Sequence, residues 1–231
     1  MIEMVYRERA VFHDRTDAGR QLALRLQGYR RREAVVFAVP RGGVPVAVEV
    51  ARRLRSPLDI VIPRKIPIPA EPEAGYGAVT EDGTVVLNES LLKGLGLTDK
   101  EISFQVGAVR AEIERRSNMF RSRLPASPPI AGRTAIIVDD GLASGFTMIA
   151  AIRSLKKREA AEAVVASPVA SGAAHDLVTK EADEVVCLHV SRTYPFAVAS
   201  FYLNWNDLTD DEVVRFLERW AGGLGQGGKR P

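Results

Sequence analysis

The chain has 231 residues, 46% hydrophobic and 26% charged, enough for one sizeable core and ordinary for a soluble globular protein. A net charge of only +3 supplies no polybasic footprint of the kind nucleic-acid binding needs. One cysteine cannot form an internal disulfide, and three histidines make a poor structural zinc cluster.

The opening MIEMVYRERA is charged and has no apolar h-region, so no signal peptide is expected. No run of about 18 apolar residues exists, so no membrane span is expected. These readings place the protein in the cytoplasm. Residues 15–27 carry helical spacing, and Arg30, Arg31 and Arg32 then form a basic run that reads as a solvated helix end. AVVFAV (34–39) and LDIVI (58–62) are short apolar β-rich runs. VPVAVEVARRL (44–54) between them fits a helix laid on a sheet, so strand, glycine turn, helix and strand make a βαβ unit.

Residues 63–130 break that rhythm. PRKIPIPAEPEAGYG is rich in proline and glycine and reads as a loop. AVTEDGTVVLN carries Asp82-Gly83 between two β-like runs, a hairpin signal. Thr98 and Glu101 form a capping box that opens a long amphipathic helix over 99–121. Pro125, Pro128 and Pro129 mark a linker back to the sheet. This stretch is read as a flap or hood inserted in a single domain spanning residues 1–221. The alternation then returns, with strands at 133–138, 162–167 and 184–190 and helices at 146–157 and 171–180. It implies a parallel sheet with helices on both faces. Cys187, inside VVCLHV, reads as a small core residue. The glycine-rich residues 222–231 are expected to be a disordered tail.

One stretch bears chemistry. TAIIVDDGLASGFT (134–147) runs from a buried strand into two adjacent carboxylates, Asp139 and Asp140. Burying two like charges is costly unless something neutralises them. Ligands of parallel α/β sheets sit at the strands' C-terminal ends, where these acids fall. The following turn, Gly141-Leu142-Ala143-Ser144-Gly145-Phe146-Thr147, leads into a helix N-terminus, whose unpaired N–H groups and dipole suit a phosphate. The acids suit the vicinal hydroxyls of a sugar, or Mg²⁺. Together these groups describe a cradle for ribose 5-phosphate.

VDDGLASGFT resembles the phosphoribosyl-pyrophosphate (PRPP) motif of type I phosphoribosyltransferases. DRTDAGRQLA, GYGAV and FYLNWNDLTDDEV are similar to an uncharacterised bacterial subgroup of that family, and the resemblance covers residues 11–220. It implies a Mg²⁺-dependent enzyme moving ribose 5-phosphate from PRPP to a nitrogen acceptor, a nucleobase, with loss of pyrophosphate. Residues 141–147 would hold the 5-phosphate. Arg41, Gly42 and Gly43, after the first strand, resemble the pyrophosphate loop, and the family likeness implies a cis or otherwise unusual Pro40–Arg41 peptide. Arg64 and Lys65 follow the next strand, where relatives carry basic residues. Asp139 and Asp140, with Arg41 and Lys65, are the catalytic candidates. The acids hold the ribose hydroxyls and bear on the metal, which otherwise enters through PRPP. The 63–130 insertion occupies the place of the family's flexible catalytic loop, and 63–85 are expected to close over the site and exclude water. Residues 66–77 are expected to bury little surface, and Glu71 and Glu73 to move with them, either to take a proton from the base or as solvated acids.

Ala143 replaces the aspartate that 6-oxopurine enzymes carry, and ASPVASG (166–172) lacks their lysine, so hypoxanthine and guanine are not expected acceptors. A homodimer is compatible with the family. Three rival readings compete with this one. A non-catalytic sensor of PRPP or nucleotides on the same fold is the main one. A receiver domain needs about 120 residues with its acids near the start. A serine hydrolase at Ser144 lacks the G-x-S-x-G elbow.

Overall fold

A computed structural model describes residues 10–30, 32–69, 71–126 and 128–226; the opening residues, Arg31 of the basic run and the last five residues lie outside these. The main sheet has five strands, β1 (Ala34–Ala38), β2 (Leu58–Ile60), β6 (Thr134–Val138), β7 (Glu162–Ser171) and β8 (Glu184–Ser191), in the order β2-β1-β6-β7-β8. Every pairing in it is parallel.

Alternation along each strand sends side chains to two separate cores. Val36, Ala38, Ile136 and Val138 face one side, where α1 (Arg15–Arg25), α2 (Gly43–Leu54) and α7 (Asp210–Gln226) contribute Leu22, Val50 and Leu217. Val35, Phe37, Ala135 and Ile137 face the other, against Met148 and Ile152 of α5 (Phe146–Lys157) and Val178 of α6 (Gly172–Val178). The expected sheet with helices on both faces is therefore the observed architecture. Cys187 joins the second core, and burial pushes its thiol up to about 11, the behaviour of a packed residue and not of a nucleophile.

The insertion differs from its expected form. In place of a loop, β3 (Arg64–Ile68), β4 (Glu71–Val79) and β5 (Val85–Leu87) form an antiparallel sheet. Asp82-Gly83 turns β4 into β5, as the hairpin signal implies, with Gly83 at φ +80°. Prolines broke the sequence pattern, yet Pro67 sits at a register irregularity between β3 and β4, where a strand tolerates it. The expectation that 66–77 bury little surface fails at Ile66 and Tyr76, both fully buried. Tyr76 also donates from its hydroxyl to Gln105 Oε1 at 2.7 Å. Glu71 stays exposed at the start of β4, and the side chain of Glu73 lies outside the described part of the structure.

After β5 come α3 (Glu89–Leu95) and the long α4 (Asp99–Arg121), opened by the expected Thr98–Glu101 capping box. Arg121 fastens the end of α4 to the main sheet. It donates to Asp59 Oδ1 at 2.5 Å and Ile60 O at 2.9 Å, and pairs with Glu81. At the C-terminus, α7 reaches Gln226, so residues 222–226 are helical despite their glycines. Trp220 and Leu217 of that helix are core residues, and their burial outweighs the low helix propensity of the last turn.

Candidate active site

Strand register puts Ile60, Ala38, Val138 and Ala166 in one row across the sheet. The segments after β1, β2 and β6 thus leave from one edge. Val39 N–H donates to Val138 O at 2.9 Å, which ties the loop after β1 to the end of β6. The Pro40–Arg41 peptide in that loop is cis. Gly42 and Gly43 then lie against the acids. A Cβ built on Gly42 would stand 1.9 Å from Asp140 Oδ2, and one on Gly43 2.5 Å from Val138 O. Two glycines are what allow the candidate pyrophosphate loop and the acid pair to lie back to back.

The carboxylate problem has an internal answer at Asp140. Arg15, at the start of α1, donates from Nε to Asp140 Oδ2 at 2.7 Å, with both side chains largely buried. Arg15 also donates to Asn206 O at 2.9 Å, and its guanidinium lies 3.7 Å over the Trp205 ring. Tyr202 donates from its hydroxyl to Asp140 O at 2.6 Å. Asp139 Oδ1 accepts the Asp140 N–H at 2.8 Å. Crowding by protein, and next the Asp140 charge, push the Asp139 carboxyl well above the usual carboxylate range. Arg15 lies in DRTDAGRQLA, and Tyr202 and Trp205 in FYLNWNDLTDDEV, the stretches that resemble the bacterial subgroup, but that resemblance names no partner for an aspartate.

The seven residues of the turn expected to hold a phosphate divide. Leu142 is a core residue whose N–H donates to Val169 O and whose carbonyl accepts from Ser171 N–H, at 2.9 and 2.8 Å. It offers a ligand no side chain. Gly141 backs onto Val198, and Phe146 leans partly on the second core. Ala143 and Ser144 are exposed. Gly145, at φ +83°, is the N-cap of α5, and no side chain caps that helix. A helix start without a side-chain cap leaves first-turn N–H groups of the kind an anion site uses, and Thr147 there is half-buried. A cleft of about 400 Å³ adjoins this turn, lined by Ala143, Ser171, Arg192, Tyr194 and Phe196 among others.

The predicted cations separate as well. Arg64 and Lys65 project from opposite faces of β3. Arg64 reaches Glu112 on α4 at 3.1 Å, while Lys65 is exposed and pairs in register with Ala78 of β4. Arg41 stands 3.7 Å from Asp210 at the start of α7. Arg115 and Arg116 of α4 approach the same carboxylate, at 3.4 and 3.6 Å. Two larger cavities, of about 520 and 670 Å³, open beside Arg52 and Arg55 at the end of α2, away from the acids and the turn. Volume alone does not locate chemistry, and neither cavity contains a carboxylate pair or an uncapped helix start. Among the described residues, no group of three or more metal-ligating side chains is assembled, and no helix is long and apolar enough to cross a membrane.

Comparison with known proteins agrees with this geometry. Two Mycobacterium tuberculosis proteins, from strains CDC 1551 / Oshkosh and H37Rv and each named "Putative phosphoribosyl transferase", are 42% identical over 212 residues. That alignment takes in 90% of this chain and 47% of each relative, so the chain spans about half the length of the curated relatives it matches. The crystal structure of TT1426 from Thermus thermophilus superposes with a TM-score of 0.75 at 38% identity, covering 91% of this chain and 99% of that one. The family model described as phosphoribosyl transferase domain matches residues 12–204, which contain the row of strand ends, both loops and the acid pair. On these grounds the chain belongs to the phosphoribosyl transferase domain family and has its type I fold.

Proposed function

We propose that this chain transfers ribose 5-phosphate from PRPP to a nitrogen acceptor, a nucleobase, and releases pyrophosphate. The observation that carries the reading is the apposition of Gly42 and Gly43 to Asp139 and Asp140 beside an uncapped helix start. Ribose hydroxyls would then meet the acids with a phosphate site on one side and a pyrophosphate loop on the other. Residues 143–147 hold the 5-phosphate through backbone N–H groups and the Thr147 hydroxyl. Arg41, Arg64 and Lys65 stabilise the departing pyrophosphate. The transition state has oxocarbenium character with weak bonds to both groups, so these residues act by positioning and by neutralising charge on the leaving group.

Mg²⁺ fits this donor set in a limited way. Arg15 occupies one oxygen of Asp140, and Asp139 Oδ1 already accepts a backbone N–H. The pair therefore offers at most a few oxygens, in keeping with an ion that takes one or two carboxylates plus substrate phosphates and water. Bound so, Mg²⁺ would neutralise pyrophosphate charge. The acceptor is assigned to the cleft between Ala143 and Phe196, where no acid stands at position 143 to read a 6-oxopurine. A homodimer and a cytoplasmic location belong to the same reading.

The test is a panel of bases with PRPP and Mg²⁺, followed by pyrophosphate release, alongside thermal unfolding with PRPP. Ligand that binds only the folded state at 100 times its Kd adds about 2.7 kcal/mol of stability. Turnover with one base is expected. Stabilisation by PRPP without turnover on any base would favour a sensor, and no stabilisation at millimolar PRPP would remove the reading.

A further inference from the structure

Asp210 lies at the focus of three guanidinium groups, at 3.4 Å from Arg115, 3.6 Å from Arg116 and 3.7 Å from Arg41. Arg116 also stands 3.3 Å from Glu112, which reaches Arg64 at 3.1 Å. Four guanidinium groups from β3, α4 and the loop after β1 thus share two carboxylates. The contacts to Asp210 are long for charge-assisted hydrogen bonds, which close to about 2.7–2.9 Å. In consequence, Arg116 Nε and Asp210 Oδ1 are both sealed from solvent without a hydrogen-bond partner. Arg116 as a whole is only 9% exposed. Burial, and then the Arg64 charge, push it below the ordinary guanidinium range. Buried polar atoms are nearly always paired, so an orphaned donor beside an orphaned acceptor, in a cluster with cations in excess, indicates room for a different anion.

We propose that Arg116, with Arg115, completes the pyrophosphate site, and that Asp210 is its internal competitor, holding Arg41 and Arg116 until a pyrophosphoryl group displaces it. The inference rests on the PRPP reading of the site. A carboxylate brings one charge and two oxygens to this cluster. A pyrophosphoryl group brings at least two charges and enough oxygens to satisfy Arg116 Nε and Arg41 together. The displaced Asp210 is not left in an unfavourable place, because it is the first residue of α7, where the helix dipole favours a carboxylate. A simple anchor between α4 and α7 would use the same contacts, but the two roles differ in sign. Loss of an anchor leaves ligand affinity unchanged or lowers it, whereas loss of a competitor raises it.

Calorimetric titration of inorganic pyrophosphate with Mg²⁺ into the unaltered protein, Asp210→Asn and Arg116→Gln separates the roles, with thermal unfolding to confirm that each variant is folded. If the competitor occupies the cluster nine-tenths of the time, its removal tightens pyrophosphate binding about tenfold. Arg116→Gln is expected to weaken it about tenfold or more. Should Asp210→Asn fold poorly, Glu112→Gln on the half-exposed side of the cluster tests the same direction by releasing Arg64 and Arg116. Equal or weaker binding by the acid-to-amide variants overturns the competitor, and unchanged binding by Arg116→Gln overturns the extended site. If the unaltered protein binds PRPP and the variants behave in that way, only this inference fails. If it binds neither PRPP nor pyrophosphate, the PRPP reading fails and takes the inference with it.

Discussion

Replacing Gly42 by alanine adds one methyl group where the two loops touch. Gly42 has φ −61° and ψ −33°, a helical conformation that alanine adopts without strain. The backbone therefore does not oppose the change, and any cost comes from the neighbour. The new Cβ would lie 1.9 Å from Asp140 Oδ2 and 2.4 Å from its Cγ, and all three of its nearest heavy atoms belong to that side chain. Asp140 is short and pinned, with Arg15 at 2.7 Å and its own carbonyl held by Tyr202. Making room means turning the carboxylate off Arg15, which sits over Trp205 and has little freedom to follow. Breaking a buried pair costs roughly 3–5 kcal/mol. The low end, about 3 kcal/mol, is expected because Asp140 keeps a little solvent contact. For a chain of this length that loss lowers the unfolding midpoint by roughly 6–12 °C. The decisive assay is a double-mutant cycle by chemical denaturation with Asp140→Ala, which removes all three contacting atoms. In that background Gly42→Ala becomes neutral or stabilises by up to about 1 kcal/mol through the unfolded chain. Coupling below about 0.5 kcal/mol would refute the apposition of the two loops.

Two further substitutions test the acid pair and the insertion. An acid whose carboxyl is raised on folding contributes its stability below its unfolded pKa, near about 3.9, and loses it as pH rises toward the folded value. Asp139 is raised by burial and then by Asp140, so Asp139→Asn should stabilise the ligand-free protein at about pH 7, with the difference fading toward the acid end. Denaturation across pH measures this, and a variant less stable than its parent at neutral pH rejects it. Arg121→Gln removes the cation shared by Asp59 and Glu81 while Asp59 stays almost wholly buried. Because Arg121 is about one-third exposed, a loss of about 2 kcal/mol is expected and not the full buried-pair value. A loss under about 0.5 kcal/mol in guanidinium unfolding would mean that Ile66, Tyr76 and Ile113 fasten the insertion by packing alone.

Local chemistry in the sequence was sufficient for the main sheet. AVVFAV is a continuous apolar run, and LDIVI and TAIIV are apolar apart from Asp59 and Thr134; runs of this kind separated by helical spacing are the pattern of strands buried on both faces. The acid pair and the glycine turn were legible for the same reason, since strand, charge and helix start lie within fourteen consecutive residues. The hairpin of β3 and β4 was hidden because its prolines sit at a bulge and its burial depends on α4, which follows it in the chain. Glycines hid the last turn of α7, whose helicity follows from docking Leu217 and Trp220. Arg15 meets Asp140 across 125 residues, and Arg41 meets Asp210 only after the last helix has docked. A lone arginine in a sequence has no stated partner, because an ion pair is decided by distance in space. Composition and spacing can mark a charge that must be neutralised, but only the packed chain decides which opposite charge does so.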